Sequence, residues 1–205
     1  MNRVWLQRRY ISVMKPPSRA DLQVGELLRA LTFAARKHKD QRRKDADASP
    51  YINHPIAVAS VLATEAGVID QLTLMAAILH DTVEDTQTTP QELEREFGSE
   101  IARVVAEVTD DKALPKDVRK ELQIRHAATA SPRAKAVKIA DKTCNVRDVT
   151  SAPPAAWSLG RRREYVEWAV KVVAACRGEE PALDAVFDAA VEEAQQVMLA
   201  DSAYK

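Results

Sequence analysis

Histidine is scarce in this chain, and the four that occur (His38, His54, His80 and His126) are unevenly placed with respect to acids. His80 is followed at once by Asp81, where the apolar series Leu72, Leu74, Met75, Ala76, Ala77, Ile78 and Leu79 gives way to Thr82, Glu84 and Asp85. A buried rod that stops in an imidazole and carboxylates marks a cleft, although a His-Asp pair alone serves equally well as a helix cap. Two further positions give the pair chemical meaning: His54, at the start of another helix, and Asp141, in a helix opened by Ser131-Pro132. At 100° per residue, Lys138, Asp141, Lys142 and Asn145 share an arc of roughly 100°, opposite Ala136, Val137, Ala140 and Cys144. Such an arc is either a solvated face or a metal ligand set beside the lysines that meet an anionic substrate.

Two imidazoles and two carboxylates form a mixed nitrogen and oxygen set. It suits one first-row divalent ion such as Mn, Fe, Co or Zn better than Ca or Mg. Such an ion would polarise a phosphorus-bound oxygen or lower the pKa of a bound water. A second ion would need more histidines, and the spare His126 stands in a helix with no companion ligand. Glu84 and Asp85 follow the dyad at about one turn, so both can face the metal's water, and acids this close perturb each other's titration in the manner of a general acid or base. The charge map points to an anionic ligand. Arg36, Lys37, Lys39, Arg42, Arg43 and Lys44 crowd one stretch, whereas Asp81, Glu84, Asp85, Glu92, Glu94 and Glu96 crowd another. Guanidinium groups can both stack on a base and grip phosphate.

The elements that must position these residues read as helices. Leu22, Leu27, Leu28, Leu31 and Ala35 mark an amphipathic helix running into the basic, glycine-free segment 36–49. A second begins at His54-Pro55, proline being tolerated in a first turn. The third, ending at Leu79, is apolar nearly all round and therefore central. Thr89-Pro90-Gln91-Glu92 has the order of a capping box, and Ser99 and Ser131-Pro132 open later helices. Residues 161–177 and 181–198 supply two closing helices.

Composition agrees with an all-α, compact multi-helix domain. The 205 residues include only five Gly and three Phe, with Ala abundant, which favours helix-on-helix packing over a sheet. Lys plus Arg and Asp plus Glu number 30 each, so the chain is neutral overall, unlike a dedicated nucleic-acid binder. With 29% charged residues and no apolar run of membrane-spanning length, no membrane partner is expected. Cys144 and Cys176 belong to no CxxC pair and suit a reducing, cytoplasmic setting. The first twenty residues are basic and acid-poor, with apolar positions too interrupted for a signal peptide. They read as a flexible extension before a domain spanning 21–205. No motif encodes an oligomeric state, monomer or dimer.

Through His54, His80-Asp81 and Asp141 the chain resembles the HD-type metal-dependent phosphohydrolases. More narrowly, residues 51–56 (YINHPI), 79–86 (LHDTVEDT) and 138–142 (KIADK) with Asn145 resemble the hydrolase domain of the Rel/Spo alarmone enzymes. Residues 33–38 (FAARKH), 40–45 (DQRRKD) and 108–112 (VTDDK) are closest to the stand-alone small alarmone hydrolases of the metazoan SpoT-homologue type. The resemblance covers roughly residues 22–198. It implies a multi-helix HD fold and one Mn ion held by His54, His80, Asp81 and Asp141, with Glu84 and Asp85 positioning and activating the attacking water. Arg43 and Lys44 would cradle guanine, Asn145 would contact the sugar or its 3′ substituent, and Lys116, Arg161 and Tyr165 are further phosphate contacts. The implied reaction removes pyrophosphate from the ribose 3′ position of guanosine 3′,5′-bis(diphosphate), leaving GDP. Without room for a synthetase domain, hydrolysis without synthesis is expected. Two alternatives share the site: removal of a ribose phosphate from another nucleotide, such as the 2′-phosphate of NADPH, and a sensor that binds an alarmone without turnover. Thr143-Cys144 departs from the bulkier apolar residues usual there and touches no implied ligand.

Overall fold

The central problem for this sequence is to bury helix faces rich in alanine and small aliphatics, and it does so by stacking helices on two central rods. The computed structural model describes residues 19–203, with side chains over 23–202. The extension expected over 1–20 lies outside the described residues except for its last two positions, which belong to the first helix. In chain order the helices are α1 (Arg19–Lys37), α2 (Asn53–Ser60), α3 (Gln71–Leu79), α4 (Thr82–Asp85), α5 (Pro90–Phe97), α6 (Ser99–Val108), α7 (Lys116–Thr129), α8 (Pro132–Ser151), α9 (Leu159–Ala174) and α10 (Pro181–Ala203). No strand occurs among the described residues; Arg42 and Pro50 form one isolated antiparallel bridge.

Two rods organise the rest. From Thr73 to Leu79 every residue of α3 is buried, and the helix touches α1, α2, α6 and α8. Its lack of a polar face follows from this central position. The second rod, α8, packs against α2, α3, α6, α9 and α10. It buries Ala134, Val137, Ile139, Ala140, Val146 and Val149 along with Lys138 and Lys142. The two rods are joined near their N-termini by Asp70. Its carboxylate accepts the Thr73 amide at 3.1 Å, capping α3, and also the Arg133 Nε at 2.8 Å from the first turn of α8.

Caps fall close to where the sequence places them. Thr89 accepts the Glu92 amide at 3.1 Å and Ser131 accepts the Ala134 amide at 3.3 Å, each with proline in the first helical turn. Glu92 is drawn to Lys37 of α1 at 2.8 Å, tying α5 to α1. Ser99 opens α6 without capping it: the cap position is Gly98, at φ 87°, a left-handed conformation that favours glycine. The first closing helix starts at Leu159 behind a Ser158 cap, two residues before the expected 161, and its α-helix ends at Ala174 rather than 177. The second runs five residues past 198. Beyond Ser60, α2 continues as a π-helical turn, Val61–Glu65, whose Glu65 clasps Arg147 of α8 through two 2.8 Å bonds.

Phe187 is fully buried in α10, the helix most extensively packed on α8. Phe187→Ala is expected to lower unfolding free energy by about 3–5 kcal/mol, read from urea denaturation.

Candidate active site

The C-terminal end of α3, the N-terminal turn of α2 and the middle of α8 converge on one small cavity. Asn53 and His54 open α2, so the His54 ring points back toward the end of α3; Pro55 costs nothing there because a first-turn amide has no intrahelical acceptor. His80 follows α3 directly, and its Nδ1 donates to the Ala77 carbonyl at 2.8 Å. That bond assigns the proton to Nδ1 and leaves the Nε2 lone pair facing Asp81 Oδ2 at 3.0 Å and Asp141 Oδ1 at 3.8 Å. His54 Nε2 lies 3.0 Å from Asp141 Oδ1 and 3.9 Å from Asp81 Oδ2.

A lone pair aimed at carboxylate oxygen in a buried site repels unless a cation stands between them. His80 Nε2 is buried with no hydrogen-bond donor or acceptor of its own. In the metal-free chain the cation is a proton: burial opposes charging the His80 imidazole, but Asp81 and then Asp141 outweigh it and raise its pKa to about 9. Burial pushes the Asp81 carboxyl up, and His80 and His54 more than reverse this, holding it well below the usual carboxylate range. Asp141 is likewise lowered, against its burial, by Lys142 and the two imidazoles. Ligand atoms of His54, His80 and Asp81 lie within 4.8 Å of one another, forming a group that could hold a metal ion, and Asp141 Oδ1 faces both imidazoles. The donor set fits a first-row divalent ion, which would take the place of the proton.

The neighbours hold the carboxylates in place. Tyr51 donates its hydroxyl to Asp81 Oδ2 at 2.6 Å, while Asn145 Nδ2 donates to Asp141 Oδ1 at 2.6 Å and Lys142 Nζ binds Asp141 Oδ2 at 2.7 Å. The polar arc anticipated on α8 is therefore turned inward rather than solvated: Lys138, Asp141, Lys142 and Asn145 all line a cavity of about 140 Å³, together with the three metal-group residues and Glu84. Lys138 is 5% exposed and, among the described residues, has no carboxylate within ion-pair distance. Burial and then the Lys142 charge lower its pKa.

The acid pair is divided between two spaces. Adjacent residues of a helix point about 100° apart, and on the short α4 this sends Glu84 into the small cavity and Asp85 into a larger one beside it. Glu84 accepts the Asp110 amide at 3.0 Å, yet burial, followed by the charges of Asp110, Asp81 and Asp85, pushes its pKa up to about 7. Asp85 accepts Gln41 Nε2 at 2.8 Å and pairs with Lys112 of the 109–114 loop. Of the two acids, Glu84 alone lines the cavity that holds both imidazoles.

The larger cavity, about 540 Å³, shares the walls Tyr51, His54 and Asn145 with the smaller. Arg43, Lys44 and Tyr165 line it, as does Trp157, which the sequence reading did not single out. Arg43 lies over the Tyr51 ring at 5.6 Å and pairs with Asp148. Tyr165 stands between Trp157 and Trp168, with ring centroids at 5.7 and 5.4 Å. Lys116 and Arg161 are exposed and line neither space; Arg161 packs over the outer Trp157 ring at 4.4 Å. The aromatic and guanidinium content of segment 157–168 was a legible signal for Trp157.

Comparison with known proteins gives consistent results. The HD domain family matches residues 30–167. The chain is 53% identical over 162 residues to human guanosine-3′,5′-bis(diphosphate) 3′-pyrophosphohydrolase MESH1, covering 79% of this chain and 90% of that one. A solved structure of a metazoan ortholog of SpoT that hydrolyses ppGpp superposes with a TM-score of 0.78 at 44% identity, covering 86% of this chain and 96% of the other. A probable GTP pyrophosphokinase of Mycobacterium leprae is 42% identical over 130 residues, 62% of this chain but 16% of that much longer protein.

Two measurements follow from this geometry. Mn at about 100 times its dissociation constant should stabilise the folded chain by about 2.7 kcal/mol in thermal unfolding, an effect that chelation reverses and His80→Ala removes. The second concerns Glu84, whose native pKa of about 7 exceeds its ordinary 4.5. The native state then holds the proton more tightly than the unfolded chain, so Glu84 costs stability progressively as pH rises from about 4.5 to about 7. In chelated samples Glu84→Gln should gain stability relative to the parent across that window, and parallel pH profiles would refute the assignment.

Proposed function

The chain belongs to the HD domain family, in the branch of the guanosine-3′,5′-bis(diphosphate) 3′-pyrophosphohydrolases, and on that premise we propose that it hydrolyses guanosine 3′,5′-bis(diphosphate) to GDP and pyrophosphate with a single Mn ion. The observation that carries this reading is the pairing of a small carboxylate-imidazole cavity with a larger one lined by Arg43, Tyr51, Trp157 and Tyr165, separated by shared walls. A nucleoside fits the larger space and a phosphorus-bound group the smaller.

His54, His80, Asp81 and Asp141 would hold the ion, which when bound supplies a Lewis acid for a phosphoryl oxygen and a lowered pKa for water. Glu84, poised near neutrality in the small cavity, takes the proton from the attacking water, and Asp85 positions that water from the side of the larger cavity. The new bond joins the water oxygen to the phosphorus next to the ribose. The bond from that phosphorus to O3′ breaks, and O3′ takes up a proton as GDP leaves. Lys138 and Lys142 meet the charge on the pyrophosphoryl oxygens, an arrangement of preorganised charge suited to electrostatic stabilisation in a buried site. Arg43 and Lys44 hold the guanine, with Arg43 already braced on Tyr51. Asn145, reaching from Asp141 to the boundary of the two spaces, contacts the sugar. Lys116 and Arg161, exposed and outside both cavities, would meet only phosphate that projects beyond them.

The test is to incubate the full chain with guanosine 3′,5′-bis(diphosphate), with and without Mn and after chelation, and to resolve products by anion exchange, with NADPH as comparison substrate. GDP and pyrophosphate should form only with the metal. Asp81→Ala should abolish turnover in a folded chain, and Arg43→Ala should raise KM about tenfold or more, the cost of a charge-assisted contact, while kcat changes little. Nucleotide binding without product under any metal would replace catalysis with sensing.

A further inference from the structure

His38 belongs to neither cavity, yet it is 2% exposed and ends in a chain of polar contacts that leads to Asp85. Its amide continues the α1 ladder to the Ala34 carbonyl at 2.9 Å, and its own carbonyl accepts the Gln41 amide at 3.0 Å, closing a tight turn. Within that turn His38 Nδ1 lies 2.6 Å from Gln41 Oε1, and Gln41 Nε2 donates to Asp85 Oδ2 at 2.8 Å. The Gln41 backbone carbonyl is pinned as well, by the Tyr51 amide at 3.1 Å.

The direction of this chain is set by donor and acceptor chemistry. A carboxylate only accepts, so Gln41 must turn its NH₂ end toward Asp85, which leaves its oxygen toward His38. An amide oxygen only accepts, so His38 Nδ1 must carry a proton. The other ring nitrogen, Nε2, is buried with no partner and has no acceptor to receive a second proton. Asp85 and Gln41 together therefore require one tautomer of one buried ring. If that donor were lost, Gln41 Oε1 would be left without its partner and the amide would no longer be held in place against Asp85. The Tyr51 ring packs on His38 with centroids 4.9 Å apart and a 31° tilt, and its hydroxyl reaches Asp81, so the same buried ring also backs the residue that orients a metal-site carboxylate.

We propose that His38 is a positioning residue that orients Asp85 through the Gln41 amide. The proposal rests on the reading above that Asp85 takes part in hydrolysis. It adds a residue that touches neither substrate nor metal and fixes its required tautomer.

Two independent measurements test it on the full chain. Long-range proton-nitrogen NMR of the folded protein should show the His38 imidazole protonated at Nδ1. A proton at Nε2 alone would overturn the relay whether or not the protein is an enzyme. In kinetics, His38→Leu and Gln41→Met should each lower kcat roughly 10- to 100-fold, the scale expected for a displaced catalytic group, with KM moving less than about threefold. Gln41 is only partly buried, so its variant folds even if the His38 variant does not. His38→Asn, whose side-chain amide offers an N–H close to where Nδ1 stood, should recover most of the lost kcat. The double variant should be no slower than Gln41→Met alone, because both changes break one connection. Unchanged kcat in Gln41→Met, or equal loss in His38→Asn and His38→Leu per folded molecule, would refute the relay. Absence of turnover in the parent chain would instead refute the proposed function, leaving the NMR result to decide the tautomer.

Discussion

Everything in this molecule is arranged around two carboxylates that have been taken out of water. Asp81 and Asp141 lie in the interior facing two imidazoles. Burying an ionised carboxylate is costly unless charge and hydrogen bonds are supplied locally. The supply is spread over four places: a tyrosine hydroxyl from the loop before α2, an ammonium and an amide from α8, and one imidazole each from the start of α2 and the end of α3. An α3 whose polar side chains are confined to its first turn is the counterpart of this arrangement. A rod that is apolar from Leu74 onward can end among polar groups at the centre of the domain, where a surface helix would end in solvent.

The division of the adjacent acids Glu84 and Asp85 between two spaces gives the site its directionality. Glu84 shares the small cavity with the imidazoles, and Asp85 looks into the larger space beside Tyr51, Asn145 and Trp157. The 109–114 loop touches both acids, through the Asp110 amide on Glu84 and Lys112 on Asp85, so one segment bridges the two cavities. Asp110 also accepts from Gln123 of α7, which itself lines the small cavity, so the connection runs through a third helix at the site.

Much of this was legible from residue types and spacing because it is local. The run to Leu79, the dyad after it and the 100° arc on α8 are periodic features, and a period survives folding unchanged. The same logic shows why other features were hidden. Whether the arc on α8 faces solvent or a cavity depends on α2 and α3 arriving over it, which no spacing within α8 reports. Neighbours in sequence, Glu84 and Asp85 were read as one unit, whereas a helix of only four residues turns them apart. Lys116 and Arg161 have the right chemistry for phosphate but are exposed and line neither cavity, a placement that residue type does not report. His38 and Gln41 stood in a segment noted for its charges, and their importance lies in two neutral side chains whose partner is 44 residues away.

Asp70 shows how such a site can be built to tolerance. By capping α3 and holding Arg133 of α8 with one carboxylate, it pins two rigid rods together at one end. From that pivot His80 lies ten residues along one rod and Asp141 eight from Arg133 along the other, so at the helical rise the two arms measure about 15 Å and about 12 Å. The rods behave as a caliper: its hinge is an ion pair on the outside of the protein, and the opening between its jaws is the width offered to an ion.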